Sequence, residues 1–309
     1  MTKLNINTDI SLVLPAKNEE HGLSSFLAEL LKRYPGLEII VVDDGSTDKT
    51  KEVAIQCGAT VVSHPYSIGN GASVKTGARN ATREYLMLMD ADGQHQVDDI
   101  QNIINKFEQG FDMVVGYRDK ASQASMPRWL GNRFYNFIAS NIVGQPILDL
   151  TSGFRLVKKD KFLEFLHLLP NGFSYPSTIT MAFFRSGYSV GYQKITVNKR
   201  IGTSHLRLFS DGFKFLLIIY KMTTLYSPFK VFLPFAVLHF LAGTLNYFYT
   251  YFSQGRFTNM SAVFLSASVI IFLIGLVSEQ ITTLMYQRHT QSQTPPPKLP
   301  KPSAQQVHE

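Results

Sequence analysis

The chain has 309 residues, a length that allows more than one domain, and it carries a formal net charge of +7 at pH 7. The sequence holds no recognition helix or aromatic-basic motif for nucleic acid, so this charge favours anionic membrane lipid as the partner. The single cysteine, Cys57, excludes an intramolecular disulfide framework and agrees with a reducing compartment.

Short apolar runs alternate with polar turns over the first two thirds of the chain, as in a soluble α/β domain. In chain order the predicted elements are a strand at 10–14 stopped by Pro15, a helix at 19–33, a strand at 39–42, a helix capped by Ser46 or Thr47, a strand at 60–63, a helix from Gly69 to Arg83, a strand at 85–89, a helix at 97–109, a strand at 112–117, an amphipathic helix at 129–143, and a turn at 151–155 leading into a strand. This order predicts a mostly parallel sheet flanked by helices.

Two acidic clusters each follow one of the apolar runs directly. Asp43 and Asp44 follow the strand at 39–42, whereas Asp90 and Asp92 follow the strand at 85–89. Ligands in α/β sheets collect beyond the carboxyl ends of the strands, so both clusters are expected in one pocket. An Asp-x-Asp pair offers hard oxygen ligands suited to Mg²⁺ or Mn²⁺, and a metal held there would meet a diphosphate. The pattern therefore indicates an enzyme that uses a nucleotide sugar.

The composition of the chain changes after about residue 228. Two apolar stretches, 229–252 and 260–286, contain one charge each, and both exceed the roughly 20 residues needed to cross a bilayer. They predict a transmembrane hairpin, the alternative being a pair of buried helices in a soluble protein. Basic residues flank the outer ends of the two stretches, whereas the link between them carries only Arg256. This asymmetry predicts that both ends lie in the cytoplasm.

The sequence thus predicts an integral protein of the cytoplasmic (inner) membrane with a cytoplasmic catalytic domain. Residues 1–9 are polar, and the apolar run that follows is too short for a signal peptide. The helix at 210–224 is expected at the membrane surface, with an ordinary core helix as the alternative. The predicted division is a catalytic domain at 1–208, a membrane-surface amphipathic helix at 209–228, the hairpin at 229–286 and a disordered cytoplasmic tail at 287–309.

Six short motifs occur in a fixed order along the chain. They are Pro15-Ala16-Lys17-Asn18-Glu19, Val42-Asp43-Asp44-Gly45-Ser46-Thr47-Asp48, Gly69-Asn70-Gly71, Asp90-Ala91-Asp92-Gly93-Gln94-His95, Thr151-Ser152-Gly153-Phe154-Arg155 and Arg200-Ile201-Gly202-Thr203-Ser204. Together they resemble the family 2 glycosyltransferases with a GT-A fold, and within them the polyprenyl-phosphate glycosyltransferases, the group of dolichyl-phosphate mannose synthase and undecaprenyl-phosphate glucosyltransferases. The resemblance covers roughly residues 10–286.

The resemblance implies a GT-A sheet followed by interfacial helices and a two-helix hairpin. It further implies an inverting, metal-dependent transfer of one sugar from a nucleotide donor to a polyprenyl phosphate. Transfer to another lipid, such as diacylglycerol, and a non-catalytic membrane scaffold remain as alternatives. The sugar is not identified, UDP is favoured over GDP, and a homo-oligomer such as a tetramer is a reasonable expectation.

The donor and metal residues follow from the same resemblance. The loop after the first strand would line the nucleotide pocket, Asp44 would hydrogen-bond the base, and the Asp-x-Asp motif with Gln94 would hold the metal. Gly69 and Gly71 either let the backbone approach the nucleotide or form a simple turn. Lys75 either reaches a phosphate or is a solvated lysine. The nucleotide-binding candidates are Pro15, Ala16, Asn18, Glu19, Asp44, Gly69, Gly71, Lys75, Asp90 and Ala91, and the metal ligands are Asp90, Asp92 and Gln94.

The acceptor side is predicted to use arginines, because the guanidinium fork matches a phosphate bidentately. The candidates are Arg118, Arg133 and Arg200, with a surface ion pair as the alternative for each. Asp149 is the carboxylate best placed for a base role or, alternatively, for orienting the acceptor. A phosphate monoester is already anionic near neutral pH and needs little deprotonation. Asp92 and these four residues form the predicted catalytic set.

Overall fold

The computed structural model describes residues 3–93, 95–118, 126–172, 174–196, 220, 223–224 and 226–292. The chain divides into two compact units, Met1–Tyr226 and Ser227–Glu309. The first unit contains the sheet, and the second contains the two long apolar helices.

The first unit is built on a seven-stranded sheet with the order β3-β2-β1-β4-β6-β5-β7. Its strands are β1 (Ile10–Ala16), β2 (Glu38–Asp43), β3 (Thr60–Ser63), β4 (Tyr85–Leu88), β5 (Met113–Arg118), β6 (Arg155–Lys158) and β7 (Val190–Ile195). Only β6 runs antiparallel to its neighbours, β4 and β5. The predicted mostly parallel sheet is therefore confirmed.

Helices fill the connections, as expected where parallel strands need crossovers. They are α1 (Ile6–Asp9), α2 (Glu20–Arg33), α3 (Thr50–Gln56), α4 (Asn70–Asn80), α5 (Asp98–Phe107), α6 (Met126–Val143), α7 (Lys159–Glu164) and α8 (Tyr175–Arg185). Strands β1, β2 and β4 are buried almost completely, because α2 and α5 supply apolar side chains to the main core. This burial explains why these strands read as uninterrupted apolar runs.

The prediction that Pro15 stops β1 is wrong, because the strand continues through Pro15 to Ala16. The Val13 carbonyl faces β4, because it accepts a hydrogen bond from the Met89 amide. Backbone directions in a strand repeat every two residues, so the nitrogen of Pro15 faces β4 as well. Pairing of β1 with β4 has already ended at Val13 opposite Leu88, whereas pairing with β2 continues to Ala16 opposite Asp43. The missing N–H group of the proline therefore costs no ladder hydrogen bond.

Two further boundaries differ from the prediction. Helix α4 ends at Asn80 rather than Arg83, because Glu38 accepts hydrogen bonds from the Thr82 amide and hydroxyl and pulls that segment onto the sheet. Neither Ser46 nor Thr47 caps α3. The N-cap position is Lys49, and the Asp48 carboxylate one residue earlier accepts from the Thr50 amide at 3.0 Å.

The second unit is a helical hairpin of α9 (Pro228–Gln254) and α10 (Asn259–Ser292). Both helices are long and apolar enough to cross a membrane, and only 11% and 17% of their apolar windows are buried. That exposure contradicts the alternative of two helices buried in a soluble core. The Glu279 carboxylate accepts from the Phe229 amide at 3.2 Å, so this charge is placed against the first turn of α9.

Helix α10 extends to Ser292, six residues past the predicted end of the second span, so the first part of the predicted tail is helical. Residues 293–309 lie outside the described residues. Most of the predicted surface helix at 209–228 lies outside them as well, since only 220, 223–224 and 226–228 of that range are described.

Candidate active site at the carboxyl ends of the strands

A cavity of about 430 Å³ lies beyond the carboxyl ends of β1, β2 and β4, where parallel α/β sheets place their ligands. Both acidic clusters reach it, as the sequence predicts. The predicted residues on its wall are Pro15, Ala16, Glu19, Asp44, Gly69, Asp90, Ala91 and Asp92. Four further wall residues were not predicted as site residues: Lys17, Ser67, Asn70 and Ser73.

Asp44 is 4% exposed, and both of its carboxylate oxygens are occupied. It accepts from the Ile68 and Gly69 amides at 2.9 Å each, from Ser67 Oγ at 2.7 Å, and it meets His64 Nδ1 at 2.8 Å. Burial would raise the pKa of Asp44, but the bonds to His64 and the loop outweigh it and lower the pKa below its ordinary value. The carboxylate thus shapes the loop that forms one wall of the cavity, and its contact with a nucleotide base stays a prediction.

Asp90 and Asp92 bring two further carboxylates to the cavity. The Nδ2 atom of Asn70 lies 3.5 Å from Asp90 Oδ1, and the Oδ1 atom of the same amide is buried without a hydrogen-bond partner among the described residues. Backbone also approaches closely, because a Cβ atom on Gly153 would lie 2.6 Å from Asp90 Oδ2. Gln94, the third predicted ligand, lies outside the described residues.

The donor set fits a hard divalent cation. The described residues contain no group of three or more His, Cys, Asp or Glu side chains suited to a metal. Two carboxylates match how Mg²⁺ is usually held, by one or two protein carboxylates together with substrate phosphates and water. The buried amide oxygen of Asn70 is a further hard donor beside them. These residues fit a metal that binds together with a diphosphate.

His95 is the last residue of the same motif and is buried against Phe154, with 5.0 Å between the ring centroids. Burial lowers the pKa of His95 to about 4, although the neighbouring Asp92 acts in the opposite direction. The imidazole is therefore neutral near pH 7.

Arg118 and Asp149 form a bidentate ion pair at the end of β5. Arg118 Nε lies 2.8 Å from Asp149 Oδ2 and Nη2 lies 3.0 Å from Oδ1. Thr151 completes the arrangement by donating its amide and hydroxyl to Asp149 Oδ1 at 3.1 and 3.0 Å. Burial would lower the pKa of Arg118, but Asp149 outweighs it, and Asp90 and Asp92 add to the upward shift. The guanidinium is thus a fixed cation near the carboxylate pair.

Arg155, which ends the Thr151-to-Arg155 motif, is fully buried and escaped the sequence-based prediction of site residues. Its guanidinium donates to the carbonyls of Ser152 and Pro176 and to Thr180 Oγ1. Because Ser152 precedes Gly153, this side chain fixes the backbone that packs against Asp90. No sequence pattern distinguishes such a buried arginine from an exposed one.

Three predicted nucleotide contacts lie off the cavity wall. Gly71 is explained by packing, because a Cβ atom there would overlap the Pro170 carbonyl. The Lys75 ammonium donates to the Leu169 carbonyl at 3.1 Å and to Asn171. Asn18 adopts a positive φ of 57° and accepts from the Thr47 amide at 2.9 Å, which joins two loops.

Of the predicted acceptor-side residues that the structure describes, none lies on the wall of this cavity: Arg118 and Asp149 pair with each other beside it, and Arg133 is elsewhere. Arg133 is exposed on α6, and Arg200 lies outside the described residues. The alternative to phosphate binding for each arginine was a surface ion pair. Arg118 does form an ion pair, but its partner, Asp149, is buried.

The chain is similar to known proteins in two separate regions. Residues 11–166 match the model of glycosyl transferase family 2, and residues 227–284 match that of the GtrB C-terminal hairpin. An uncharacterised protein of Methanocaldococcus jannaschii is 38% identical over 160 residues, which cover 48% of this chain and 65% of that protein. A dolichyl-phosphate hexose transferase of Haloferax volcanii is 27% identical over 206 residues, which cover 66% of this chain and 89% of that protein.

Among solved structures, glucosyl-3-phosphoglycerate synthase from Mycobacterium tuberculosis, in complex with Mn²⁺, UDP-glucose and phosphoglyceric acid, is similar with a TM-score of 0.58. The identity is 20%, over 70% of this chain and 80% of that chain, so the likeness shows the shared fold. The match to the family model spans half of the 309 residues and includes the cavity. The chain therefore belongs to glycosyl transferase family 2, and it is a glycosyltransferase with a GT-A fold.

Proposed function

We propose that this enzyme transfers one sugar, with inversion, from a nucleotide-sugar donor to a polyprenyl phosphate. The observation that carries the proposal is the combination of a carboxylate-lined cavity at the strand ends with an apolar hairpin in the same chain. The similarity of that hairpin to the GtrB hairpin, and of the chain to a dolichyl-phosphate hexose transferase, supports a lipid acceptor.

Asp90 and Asp92 would hold Mg²⁺ or Mn²⁺, with Gln94 as the third predicted ligand. The metal, when bound, neutralises the charge that develops on the departing nucleoside diphosphate. The solved relative that contains Mn²⁺ and UDP-glucose supports both the metal and the preference for UDP over GDP. Ala16 and Gly69, two of the predicted nucleotide contacts, line the same cavity.

Arg118 would receive the acceptor phosphate, together with Arg133 and Arg200. A phosphate oxygen then attacks the anomeric carbon from the face opposite the leaving group. A carbon–oxygen bond to the acceptor forms as the carbon–oxygen bond to the nucleoside diphosphate breaks, so the configuration inverts. The acceptor oxygen is already anionic, and no proton has to be removed before the attack.

Asp149 would act as an orienter rather than as a base. The side chain is 2% exposed, and both oxygens accept hydrogen bonds from Arg118 or Thr151. A carboxylate that is occupied in this way aims the Arg118 guanidinium, whose fork can bind a phosphate with its remaining donors. This assignment selects one of the two roles that the sequence leaves open.

The catalytic unit would face the cytoplasm from the inner membrane, with both ends of the hairpin on that side, because basic residues flank the hairpin whereas its link carries only Arg256. A homo-oligomer formed through the spans is part of the same proposal. Transfer to diacylglycerol is the competing reaction, and it differs in requiring deprotonation of a hydroxyl group.

The two acceptors are distinguished by assaying wild type and Asp149→Asn with polyprenyl phosphate and with diacylglycerol, each with a labelled UDP-sugar and Mn²⁺. The proposal expects product from the phosphate only, and a variant that is weakened roughly 10- to 100-fold because Arg118 is no longer aimed. Product from diacylglycerol that disappears in Asp149→Asn would support the competing reaction. Nucleotide-sugar binding without any turnover would support the scaffold.

A further inference from the structure

His64 connects two elements that form the cavity, although it does not line the cavity itself. It follows β3 directly, and its side chain is 9% exposed. Its Nδ1 atom lies 2.8 Å from Asp44 Oδ1, and its Nε2 atom lies 2.9 Å from Thr76 Oγ1 on α4. Asp44 lines the cavity, and so does Asn70, the first residue of α4. Both ring nitrogens of His64 thus bond elements that shape the cavity.

The two partners decide which nitrogen of the His64 ring carries the hydrogen. An ionised carboxylate can only accept hydrogen bonds, so Nδ1 donates to Asp44. In the neutral imidazole, Nε2 then accepts from the Thr76 hydroxyl. The bond at one ring nitrogen sets the state of the other, so Thr76 favours the tautomer that donates to Asp44.

Asp44 passes this constraint on to the loop 67–69, which leads into α4. Its Oδ1 atom also accepts from the Ile68 amide at 2.9 Å, and its Oδ2 atom accepts from Ser67 Oγ at 2.7 Å and from the Gly69 amide at 2.9 Å. With the bond from His64, two donors meet each carboxylate oxygen. Ser67 and Gly69 line the cavity, so the orientation of this one carboxylate determines the shape of the loop wall.

These hydrogen bonds form a closed ring. The ring runs from His64 to Asp44, through the loop 67–69 into α4, and back from Thr76 to His64. Rotation of the Asp44 carboxylate would break its bonds to His64 and to the loop together, so the members of the ring support one another.

We propose that His64 is a positioning residue of the donor site, which holds Asp44 in the orientation that keeps the loop 67–69 in place. The inference rests on the proposed function in one respect, namely that the cavity binds the nucleotide part of the donor. The effect is on donor binding rather than on the transfer step, because the ring nitrogens of His64 bond Asp44 and Thr76 and neither of the metal candidates.

Two amide substitutions separate the contributions of the two ring nitrogens. The side-chain nitrogen of asparagine lies as many bonds from Cβ as Nδ1 of histidine, so His64→Asn keeps a donor for Asp44 and loses the bond to Thr76. The side-chain nitrogen of glutamine lies as many bonds from Cβ as Nε2, so His64→Gln keeps a group for Thr76 and loses the bond to Asp44. Both side chains are neutral amides, and each variant is therefore the matched control for the other.

The first measurement is the binding of UDP, in the presence of Mn²⁺, to the full-length protein in detergent by isothermal titration calorimetry. We expect His64→Gln to weaken UDP binding about 10-fold, since a hydrogen bond to a charged group is lost, and His64→Asn to stay within about twofold of wild type. In transfer assays the same change should appear in the KM for the donor, with little change in kcat. Thr76→Val, which keeps the imidazole, should fall between wild type and His64→Gln.

Amide hydrogen exchange without nucleotide gives a readout that does not depend on the reaction. His64→Gln should speed exchange of the Ile68 and Gly69 amides several-fold relative to wild type and to His64→Asn, whereas exchange in β5 should not change. A role in overall stability alone would speed exchange across the sheet in both amide variants.

Equal UDP affinities of the two folded amide variants would overturn the proposal. Wild-type affinity in His64→Gln, or in Thr76→Val if His64→Gln does not fold, would overturn it as well. Wild type that binds neither UDP nor GDP would contradict the proposed function instead, and the exchange pattern would still decide whether His64 holds the loop. The two failures are therefore distinguishable.

Discussion

Replacement of Gly153 by alanine tests how the metal site is held. The added Cβ atom would lie 2.6 Å from Asp90 Oδ2 and 3.1 Å from both Cγ and Oδ1, whereas ordinary Cβ contacts begin at 3.4 Å. The carboxylate must therefore move by about 0.8 Å, the difference between 3.4 and 2.6 Å. Arg155 fixes the adjacent Ser152 carbonyl, so we expect Asp90 rather than the backbone to yield.

A displacement of this size should weaken metal binding on the order of 10- to 100-fold, the usual effect of disturbing a group that supports a metal ligand. The assay is Mn²⁺ binding by electron paramagnetic resonance in the presence of UDP, followed by the transfer rate as a function of Mn²⁺ concentration. Excess Mn²⁺ should restore most of the rate. Gly172→Ala is the matched control, since nothing lies within 4 Å of a Cβ atom there. A folded Gly153→Ala enzyme with the Mn²⁺ affinity of wild type would refute the reasoning.

Three further predictions concern other parts of the chain. Arg118→Lys should lower the rate of transfer to a phosphate acceptor roughly 100-fold with little change in the KM for the donor, because lysine cannot reproduce the bidentate pair with Asp149. Steady-state kinetics with both substrates measure this effect, and an unchanged transfer rate would contradict the prediction. The pKa of Asp44 is lowered in the fold, so its ionised form stabilises the protein above the ordinary value of 3.8, and this contribution is lost as the pH falls through the folded pKa. The difference in thermal midpoint between wild type and Asp44→Asn should hence be constant from pH 7 to about pH 5 and shrink below pH 4, and a difference that grows on acidification would be inconsistent with this. Glu279→Ala should destabilise the hairpin by about 1 kcal/mol, because the Phe229 amide loses its acceptor, and thermal unfolding in detergent with Thr283→Ala for comparison would show whether it does.

The sequence predicts the strands well wherever a buried parallel strand reads as an apolar run. The cost of a proline in a strand depends on which neighbouring strand its nitrogen faces and on whether that neighbour still pairs there. The prediction for Pro15 was wrong because β4 stops pairing with β1 at Val13, before the proline. The end of α4 could not be predicted from the local sequence either, since the Glu38 carboxylate that accepts a hydrogen bond from the Thr82 amide lies 44 residues earlier in the chain.

Some residues of the candidate site could likewise be predicted from the sequence, and others could not. Asp44, Asp90 and Asp92 follow strands, so their meeting in one cavity could be predicted from the parallel order alone. Lys75 could not, because its carbonyl partner at Leu169 lies 94 residues further along the chain. The burial of Arg155 is likewise decided by α8, whose Pro176 carbonyl accepts its hydrogen bond.

The most direct measurement of the central claim is sugar transfer by the full-length enzyme in lipid nanodiscs. Radiolabelled UDP- and GDP-sugars would be supplied with undecaprenyl phosphate and Mn²⁺, and the lipid product would be identified by mass spectrometry. Wild type would be compared with Asp92→Asn and with Asp98→Asn, a control at an aspartate whose side chain is 76% exposed. We predict a metal-dependent lipid carrying one sugar and one phosphate, lost in Asp92→Asn and kept in Asp98→Asn. Product formation that persists without metal or in Asp92→Asn would contradict this account.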